Sequence, residues 1–440
     1  MKLKIKNSAT AALLIFFLAA SSAWARPVTL DTARRVAVNW LIEKRGLMAM
    51  PKSLAPAHTE TVQGRNIYYV INFPSGGWLI LSADDVAYPV IAYSRKGSYL
   101  PTNHPVQFDG WMNAVKNEIR GAIAKSLQAL PKAKTAWTRL DTEPAEFLPR
   151  VESAGTPPLI RTTWNQGKYY NHQCPADAAG QDGHVYTGCV ATAMAQVVKY
   201  YNYPARGNGS HSYVHSTYGT QFADFGNTAY HWAAMPDKLT AYNSAVATLM
   251  YHCGVSVDMD YGPSGSGANV SYYATNALKQ YFRYKASLHF AWRSSYTDAQ
   301  WRSLLRSEID AGHPVLYRGS GTGGHAFVCD GYEATDSDHF HFNWGWGGYL
   351  DGYFYIDNLA PGSYDFTNSQ GGILGIERAI IKGDINASGQ VDLADAVTAL
   401  QIVSKITPAD PVEINADVNG DGAIGLAEAV FCLQKIAGLR

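Results

Sequence analysis

The stretch Thr187–Gln196, TGCVATAMAQ, places one cysteine where a run of small and apolar residues begins. From Val190 onward, these residues recur at the i, i+3, i+4, i+7 spacing of one buried helix face. The spacing therefore predicts a helix with Cys189 at its very start. Gly188 removes side-chain bulk in front of the thiol, and Thr187 can cap the helix.

A cysteine at this place has two explanations. The partial positive charge at a helix N-terminus lowers the pKa of a thiol toward the reactive thiolate, which suits a nucleophile. A small hydrophobe that opens a buried helix would give the same local pattern. The stretch alone does not decide between them, so the other motifs of the chain must.

A thiol nucleophile needs a histidine base, and His325 has the most suitable context of the thirteen histidines. It follows a glycine-rich loop over 319–324, where small residues let a substrate backbone approach closely, and it precedes a strand-like run. It lies 136 residues after Cys189, and papain-type proteases separate the two residues by about 130–150 positions. His325 is therefore the candidate base.

The strand after His325 is predicted to form a hairpin with the alternating segment HFHFNWGWGG, across a turn in EATDSD. This hairpin brings Asn343 and Trp344 roughly opposite His325. Asn343 can then accept a hydrogen bond from the imidazole, and Trp344 can shield that bond from water. The alternative, a solvated polar strand face capped by core aromatics, is assigned to His339 and His341.

Acyl transfer also needs a group that stabilises the oxyanion, commonly the backbone N–H of the nucleophile together with a side-chain amide. Gln166, in the loop TTWNQGKYYN, is the candidate amide beside the Cys189 N–H. Taken by itself, a glutamine in a polar loop is better explained as an ordinary surface residue.

Four segments, taken in order, resemble the streptopain family of secreted papain-like cysteine proteases over about residues 150–382: TGCVATAMAQVVKYYNYP, CGVSVDMDYGPSGSG, GGHAFVCDGY and HFNWGWGGYLDGYF. The resemblance implies that Cys189 is the nucleophile, His325 the base and Trp344 a ring packed on that pair. It also implies Gln166 in the oxyanion hole, through the matching WNQG. Asn343 falls where papain-like enzymes keep an orienting amide, although the streptopain group relies more on the adjacent Trp.

The segments 258–267 and 319–324 are the candidates for shaping the substrate cleft. Both are rich in glycine and small residues, which leaves room for an extended peptide. The streptopain family favours an apolar residue just before the one at the cut, so the resemblance implies the same preference here.

The first residues have the pattern of an export signal. A Lys-rich head, an apolar segment over 11–20 and a small-x-small site at Ala23-Trp24-Ala25 predict cleavage before Arg26. The alternative is a membrane anchor, for which the apolar run is too short. Export implies a secreted protein.

A second module is predicted between the signal and the protease-like region. The stretch 68–99 is similar to the pro-domain of the streptopain family, and alternation over 68–73 and 78–82 predicts paired strands. The alternative is an independent ligand-binding domain. The Pro-rich, aperiodic segment 143–158 predicts the joint to the next domain, with Arg150 as a candidate cut.

Charge and cysteine content exclude some classes of protein. Lys plus Arg and Asp plus Glu both total 36, so net charge gives no reason to expect nucleic acid or an anionic membrane as a partner. Five scattered cysteines form no dense disulfide framework, and at least one must stay unpaired. Cys253, Cys329 and Cys432 lie in apolar patterns typical of buried thiols, whereas Cys174 is undecided.

The C-terminal part contains a repeat: DINASGQVDLADAV at Asp384 recurs as DVNGDGAIGLAEAV at Asp417, 33 residues later. Each copy has the oxygen-bearing side chains and the position-6 glycine of a calcium loop and runs into an apolar helix. Asx-rich turns that open helices are the alternative, but they would not predict two copies with glycine in register. The expected ligands are Asp384, Asn386, Ser388, Gln390 through its carbonyl, Asp392 and Asp395, then Asp417, Asn419, Asp421, Ala423 through its carbonyl, and Glu428.

This repeat resembles a type I dockerin, which implies structural Ca²⁺ and binding to a cohesin-like module on another protein. Related two-loop modules serve as folding or surface-retention units, and that alternative stays open.

Together these patterns predict an α+β chain in four parts. Residues 1–25 are the signal peptide, 26–150 an α+β inhibitory pro-domain, 151–382 a papain-like protease domain and 383–440 a small all-α calcium-binding two-loop module. The predicted function is that of a secreted cysteine endopeptidase, made as a zymogen, that needs no cofactor for catalysis. A cell-wall amidase and a catalytically silent adhesion protein on a papain-like scaffold are the alternatives.

Overall fold

The computed structural model describes residues 26–45, 54, 56–102, 104, 106–147, 155–320, 324–333, 339–356, 369–409 and 412–440. The predicted signal peptide, the candidate cut at Arg150 and the turn over 334–338 lie outside these residues. We refer to 26–147 as the N-terminal region, 155–382 as the central region and 383–440 as the C-terminal region. No helix in the described ranges is long and apolar enough to cross a membrane.

The described residues form helices in all three regions and strands in the N-terminal and central regions. The helices are α1 (Leu30–Arg45), α2 (Val106–Ala124), α3 (Pro131–Leu140), α4 (Cys189–Tyr201), α5 (Ser244–Val255), α6 (Thr275–Gln280), α7 (Asp298–Asp310), α8 (Leu393–Val403) and α9 (Leu426–Ile436). The strands are β1 (Pro56–Val62), β2 (Arg65–Asn72), β3 (Trp78–Ser82), β4 (Val90–Ser94), β5 (Ser210–His215), β6 (Gly219–Asp224), β7 (His289–Trp292), β8 (Val315–Ser320), β9 (Gly324–Tyr332), β10 (His339–Asn343), β11 (Gly352–Tyr355) and β12 (Gly371–Leu374).

Ten of these strands form one antiparallel sheet that runs through both the N-terminal and the central region. Its strand order is β1-β2-β3-β4-β11-β10-β9-β8-β12-β7. The pairing of β2 with β3 confirms the predicted strands over 68–73 and 78–82. The N-terminal region joins the central region where Tyr93 and Ala92 of β4 pair with Tyr353 and Phe354 of β11. The two regions therefore share a sheet, which the sequence did not indicate.

Helix α4 begins at Cys189, as its spacing predicts, and is the most enclosed helix of the central region. Every residue from Val190 to Val198 is buried, because α4 lies between the sheet and α5. A helix that is apolar on all sides is stable only in such an interior position. Its first residue is therefore the place where α4 emerges from the core.

Helix α2 of the N-terminal region covers the other face of the sheet. Phe108 and Trp111 pack among the buried rings of Phe342, Trp344 and Phe354, with Trp111 and Phe342 centroids 4.9 Å apart. Large buried aromatic side chains contribute strongly to packing energy. Residues of the N-terminal region thus complete a core that begins in the central region.

The C-terminal region is built on α8 and α9, and each helix follows one copy of the repeat, as predicted. The two helices enclose a small core that includes Ile385, Ala399 and Cys432. It contacts the central region where the Arg283 guanidinium donates to the Ser388 carbonyl.

The glycine before α4 gives a test of this arrangement. Gly188 has φ +87°, and a Cβ added there would lie 2.7 Å from the Met259 sulfur. We expect Gly188→Ala to lower the free energy of unfolding, since it adds a steric overlap to the strain of a non-glycine residue at φ +87° and ψ 146°, which costs about 1–3 kcal/mol. Chemical denaturation measures the change.

Gly183→Ala is the matched control for this prediction. Gly183 has φ +78° and open space where a Cβ would be placed, so it should show the backbone penalty alone. An equal loss in both variants would contradict the close packing of Met259 on Gly188.

Candidate active site

Cys189 is half-buried at the N-terminus of α4, and Gly188 is the N-cap residue. The predicted capping by Thr187 is wrong, because the Thr187 hydroxyl bonds instead with the Thr192 hydroxyl at 2.9 Å. The backbone N–H groups of Ala326, Val190 and Cys189 itself lower the pKa of the thiol. The thiol thus lies between the start of α4 and the start of β9.

The loop that carries Gln166 lies directly beside this position. The Thr187 N–H donates to the Gln166 carbonyl at 2.9 Å, two residues before the thiol. The side-chain amide of Gln166 makes no hydrogen bond within the described part of the chain, and the residue is half-buried. This amide is therefore available to a ligand beside Cys189.

His325 lies near the start of β9, which pairs with β10 in the predicted hairpin. Side chains alternate along a strand, so neighbours point to opposite faces. Ala326 and Val328 pack with α4, whereas Phe327 and Cys329 pack on the α2 side. The alternation therefore places the imidazole of His325 on the face that α2 covers.

Electrostatics at His325 agree with that placement. Burial lowers the pKa of the His325 imidazole. The negative charge of Asp109, on α2, raises that pKa by a smaller amount. Among the described residues, no hydrogen bond joins the imidazole to Cys189 or to Asn343. Cys189 and His325 thus lie at the starts of neighbouring elements, α4 and β9, but no hydrogen bond joins their side chains in this structure.

The protonation states follow from burial. Burial raises the pKa of the Cys189 thiol, and it outweighs the opposing effects of the backbone N–H groups and of the Arg318 charge. The expectation of a lowered thiol pKa is therefore wrong for this form of the chain. Because the His325 pKa is lowered as well, a thiolate–imidazolium pair is disfavoured on both sides.

Asn343 makes other hydrogen bonds than the expected one to His325. Its Oδ1 accepts from Gln196 Nε2 at 2.9 Å and from Gly345 N at 3.0 Å, and its Nδ2 donates to the Thr162 carbonyl at 2.8 Å. Asn343 lies opposite Val328 in the hairpin, three residues from His325. The Asn343 amide thus bonds to Gln196 of α4, to Gly345 and to Thr162 rather than to His325.

Trp344 is fully buried on the α2 side of the sheet rather than against His325. Its ring lies 4.6 Å from that of Phe327 and 6.0 Å from that of Trp111, and its Nε1 donates to the Leu350 carbonyl. Within the described residues it makes no ring contact with His325. In this form the ring therefore supports β9 and α2, and the predicted shielding is not observed.

Sequence reasoning missed Arg318, which lies close to the thiol. Arg318 on β8 pairs with Ala326 on β9, whose N–H points at Cys189, and its charge lowers the thiol pKa. Its guanidinium lies 5.3 Å from the Trp292 ring centroid. Arg318 belongs to no recognisable motif, so nothing in the sequence indicated that it lies near the thiol.

Comparison with known proteins identifies the family. The profile of the Peptidase C10 family matches residues 164–354, and that of the Spi protease inhibitor matches residues 25–119. Streptopain from Streptococcus pyogenes is 33% identical over 340 residues, which cover 73% of this chain and 81% of streptopain. The chain belongs to the peptidase C10 family.

Two further relatives share most of this C10 chain. The thiol protease/hemagglutinin PrtT of Porphyromonas gingivalis is 32% identical over 379 residues, and the chain covers 42% of that relative. The structure of a Prevotella intermedia prointerpain A fragment has a TM-score of 0.61 at 35% identity and covers 74% of this chain and 100% of the fragment. The enzyme class is therefore that of the cysteine endopeptidases, and the N-terminal region corresponds to a zymogen-like pro-domain.

His339, His341 and the five cysteines of this C10 peptidase differ in burial. The expected solvated strand face is wrong: His339 is buried, and His341 Nδ1 lies 2.6 Å from Asp330 Oδ1, which is fully buried. All five cysteines are free thiols, and four of them are buried, Cys174 included.

The predicted cleft segment over 258–267 adjoins the start of α4. Met259 and the Ser266 carbonyl lie against Gly188, and the Ser266 hydroxyl donates to the Tyr186 carbonyl at 2.7 Å. Of the second cleft segment, 321–323 lie outside the described residues.

The two predicted calcium loops share two backbone hydrogen bonds at equivalent positions. Gly389 and Gly422 donate to Asp384 and Asp417, each at 2.8 Å, and both glycines have positive φ. Asp395 and Glu428 likewise accept from the backbone N–H of the ninth loop residue. The carboxylate of that residue in the first loop, Asp392, also caps α8.

Burial of carboxylates in the first loop fits a cation. Burial raises the pKa of Asp384 to about 6, and the neighbouring Asp395 carboxylate adds to this effect. Among the described residues, no group of three or more His, Cys, Asp or Glu side chains has metal-binding geometry. A donor set there would need the amide, hydroxyl and carbonyl oxygens that hard cations such as Ca²⁺ accept.

The buried thiol gives a pH test. We expect Cys189 in the full-length chain to react with iodoacetamide only above the ordinary thiol pH range, because the thiolate is the reactive species and burial raises the thiol pKa. Proteolytic removal of the N-terminal region should shift the profile to lower pH. Mass spectrometry of the Cys189 peptide measures the rate at each pH.

Cys253, fully buried with a raised pKa, is the internal control and should stay unlabelled in both forms. A full-length chain in which Cys189 titrates at or below the pKa of free cysteine would contradict the burial argument.

Proposed function

We propose that this C10 peptidase is a secreted endopeptidase, made as a zymogen, in which Cys189 and His325 form the catalytic dyad. The observation that carries the proposal is the placement of the thiol at the emerging end of α4, beside the start of β9 and the Gln166 loop. A nucleophile, a base and an amide donor are the groups that acyl transfer requires.

The chemistry assigned to these groups is as follows. The Cys189 thiolate attacks the peptide carbonyl, while the Cys189 N–H and the Gln166 amide donate to the oxyanion. The His325 imidazolium protonates the leaving amine, and a thioester is left on the sulfur. Water, deprotonated by His325, then hydrolyses the thioester and restores the thiol. The positive charge of Arg318 stabilises the thiolate. Asn343 joins α4 to the Thr162 segment, and Trp344 packs against Phe327 of β9.

The zymogen part of the proposal rests on α2. Phe108 and Trp111 of this helix pack on the Trp344 side of the sheet, and Asp109 lies near His325. While α2 is docked, the imidazole is kept on the face away from the thiol. Removal of the N-terminal region exposes that face, so that His325 can turn toward Cys189.

We further propose that the C-terminal region binds two structural Ca²⁺ ions. Its support is the matching geometry of the two loops and the buried Asp384. Asp384, Asn386, Ser388, Asp395 and the Gln390 carbonyl would hold the first ion, and Asp417, Asn419, Asp421, Glu428 and the Ala423 carbonyl the second. The ions would fix the loops and take no part in peptide hydrolysis.

The outer faces of α8 and α9 favour attachment to another protein as the role of this region. Leu393, Val397 and Leu400 of α8 are exposed, and the residues 33 positions later, Leu426, Val430 and Leu433, are exposed as well. Exposed apolar stripes of this kind mark interaction surfaces. A cohesin-like module is the partner that the dockerin-like repeat suggests.

Of the two alternatives, a silent adhesion protein would not need the amide of Gln166 free beside a thiol. A cell-wall amidase is disfavoured by the match to the Spi protease inhibitor profile, which pairs the chain with protease chemistry. Zymography on protein and on peptidoglycan separates the two activities.

The dyad is tested by casein hydrolysis. Cys189→Ala should abolish hydrolysis by the activated chain, since no other nucleophile is in place, and a thiol-directed inhibitor should do the same to the wild type. Cys253→Ala, at a buried thiol in α5, is the control and should keep its activity per folded molecule. Equal activity of Cys189→Ala and wild type would refute the protease proposal.

The calcium sites are tested by calorimetry. Wild type should bind two ions, and Asp384→Ala and Asp417→Ala should each remove one, because the first loop position supplies a carboxylate ligand. Asp237→Ala, at an exposed carboxylate of the central region, is the control and should bind two. Unchanged stoichiometry in both loop variants would disprove the sites.

A further inference from the structure

Gln196, the last residue of the stretch TGCVATAMAQ, lies at the centre of a buried hydrogen-bond cluster. Its Oε1 accepts from Thr162 Oγ1 at 3.0 Å and from the Trp164 N–H at 3.2 Å, and its Nε2 donates to Asn343 Oδ1 at 2.9 Å. The side chain is completely buried. One amide therefore joins three segments that are far apart in the sequence.

The hydrogen bonds among Thr162, Gln196 and Asn343 form a closed ring. Asn343 Nδ2 donates back to the Thr162 carbonyl at 2.8 Å, and Asn343 Oδ1 also accepts from Gly345 N at 3.0 Å. Both lone pairs of Gln196 Oε1 are used while its amide nitrogen donates. An apolar side chain replaces none of these bonds, and an ionised carboxylate cannot donate to Asn343 Oδ1.

Each of the three segments leads to a group of the proposed active site. Trp164 lies two residues before Gln166, and Gln196 lies about two helical turns after Cys189. Asn343 ends β10, which pairs with the strand that carries His325. The amide of Gln196 thus fixes the relative positions of the nucleophile, the oxyanion donor and the hairpin.

We propose that Gln196 is a positioning residue for peptide hydrolysis, acting through Trp164, Asn343 and α4 rather than by contact with substrate. The inference rests on the proposed function and adds a residue to it. Loss of the amide leaves the Trp164 N–H buried without a partner and leaves Asn343 Oδ1 with Gly345 N as its remaining donor, so the three segments are no longer joined through α4. A shift of about 1 Å at a catalytic group can cost roughly a hundredfold in rate.

The test compares two buried glutamines in the full-length chain after activation. Gln196→Met keeps the side-chain length and removes all three bonds. Gln221→Met is the matched control, since Gln221 is also buried and bonded at both ends of its amide, to the Tyr218 carbonyl and the Tyr251 hydroxyl, but lies in β6. Peptide hydrolysis is measured per active site, counted by titration with a thiol-directed inhibitor.

We expect Gln196→Met to lower kcat by roughly tenfold to a hundredfold with little change in KM. Gln221→Met should keep the kcat of the wild type, even where both variants lose similar thermal stability. Equal kcat values in the two variants, or a loss confined to KM, would overturn the proposal.

Gln196→Glu gives a second readout and carries the test if Gln196→Met does not fold. A protonated carboxyl can donate to Asn343 Oδ1, whereas a carboxylate repels it. The ratio of its kcat to that of the wild type should therefore rise as the pH falls. A flat ratio would contradict a positioning role. An inactive wild type would instead refute the protease proposal, so the two failures are distinguishable.

Discussion

The hydrogen bond between Gln196 and Asn343 holds together the parts of the chain on which the active site depends. It lies in a fully buried position, where an unpaired amide would be costly, so both partners are kept in one geometry. Helix α4 is enclosed around it and can present only its first residue to a ligand. The half-buried position of Cys189 is thus a consequence of how the rest of α4 is buried.

The second constraint is the sheet that the pro-domain and the protease region share. Pairing of β4 with β11 brings α2 over the strand that carries His325, and the rings of Trp111 and Trp344 fill one core. On that face, burial lowers the pKa of the His325 imidazole, because a charge is disfavoured in an apolar interior. In the proposed zymogen, the packing that stabilises the N-terminal region would therefore also restrain His325.

Local patterns predicted the elements of the site well. The periodicity after Cys189 gave the start of α4, the alternation around Phe342 gave the β9–β10 hairpin, and the repeat gave α8 and α9. The roles of Asn343 and Trp344 were harder to predict. What each side chain contacts depends on the exact register of the hairpin and on the face of the strand that it occupies. Arg318 and Gln196 had no motif, although a lone polar residue on the apolar helix was a signal for Gln196.

The sequence by itself determined the residue types and their order: a thiol at a helix start, a histidine after a glycine-rich loop, and two loops with glycine in register. These depend on spacing along one element, where periodicity is a direct physical consequence of backbone geometry. Only the tertiary structure decided that β4 joins β11, that His325 lies on the α2 face, and that Gln196 bonds to Asn343. Those contacts join residues more than a hundred positions apart, and their partners are chosen by burial and shape rather than by local pattern.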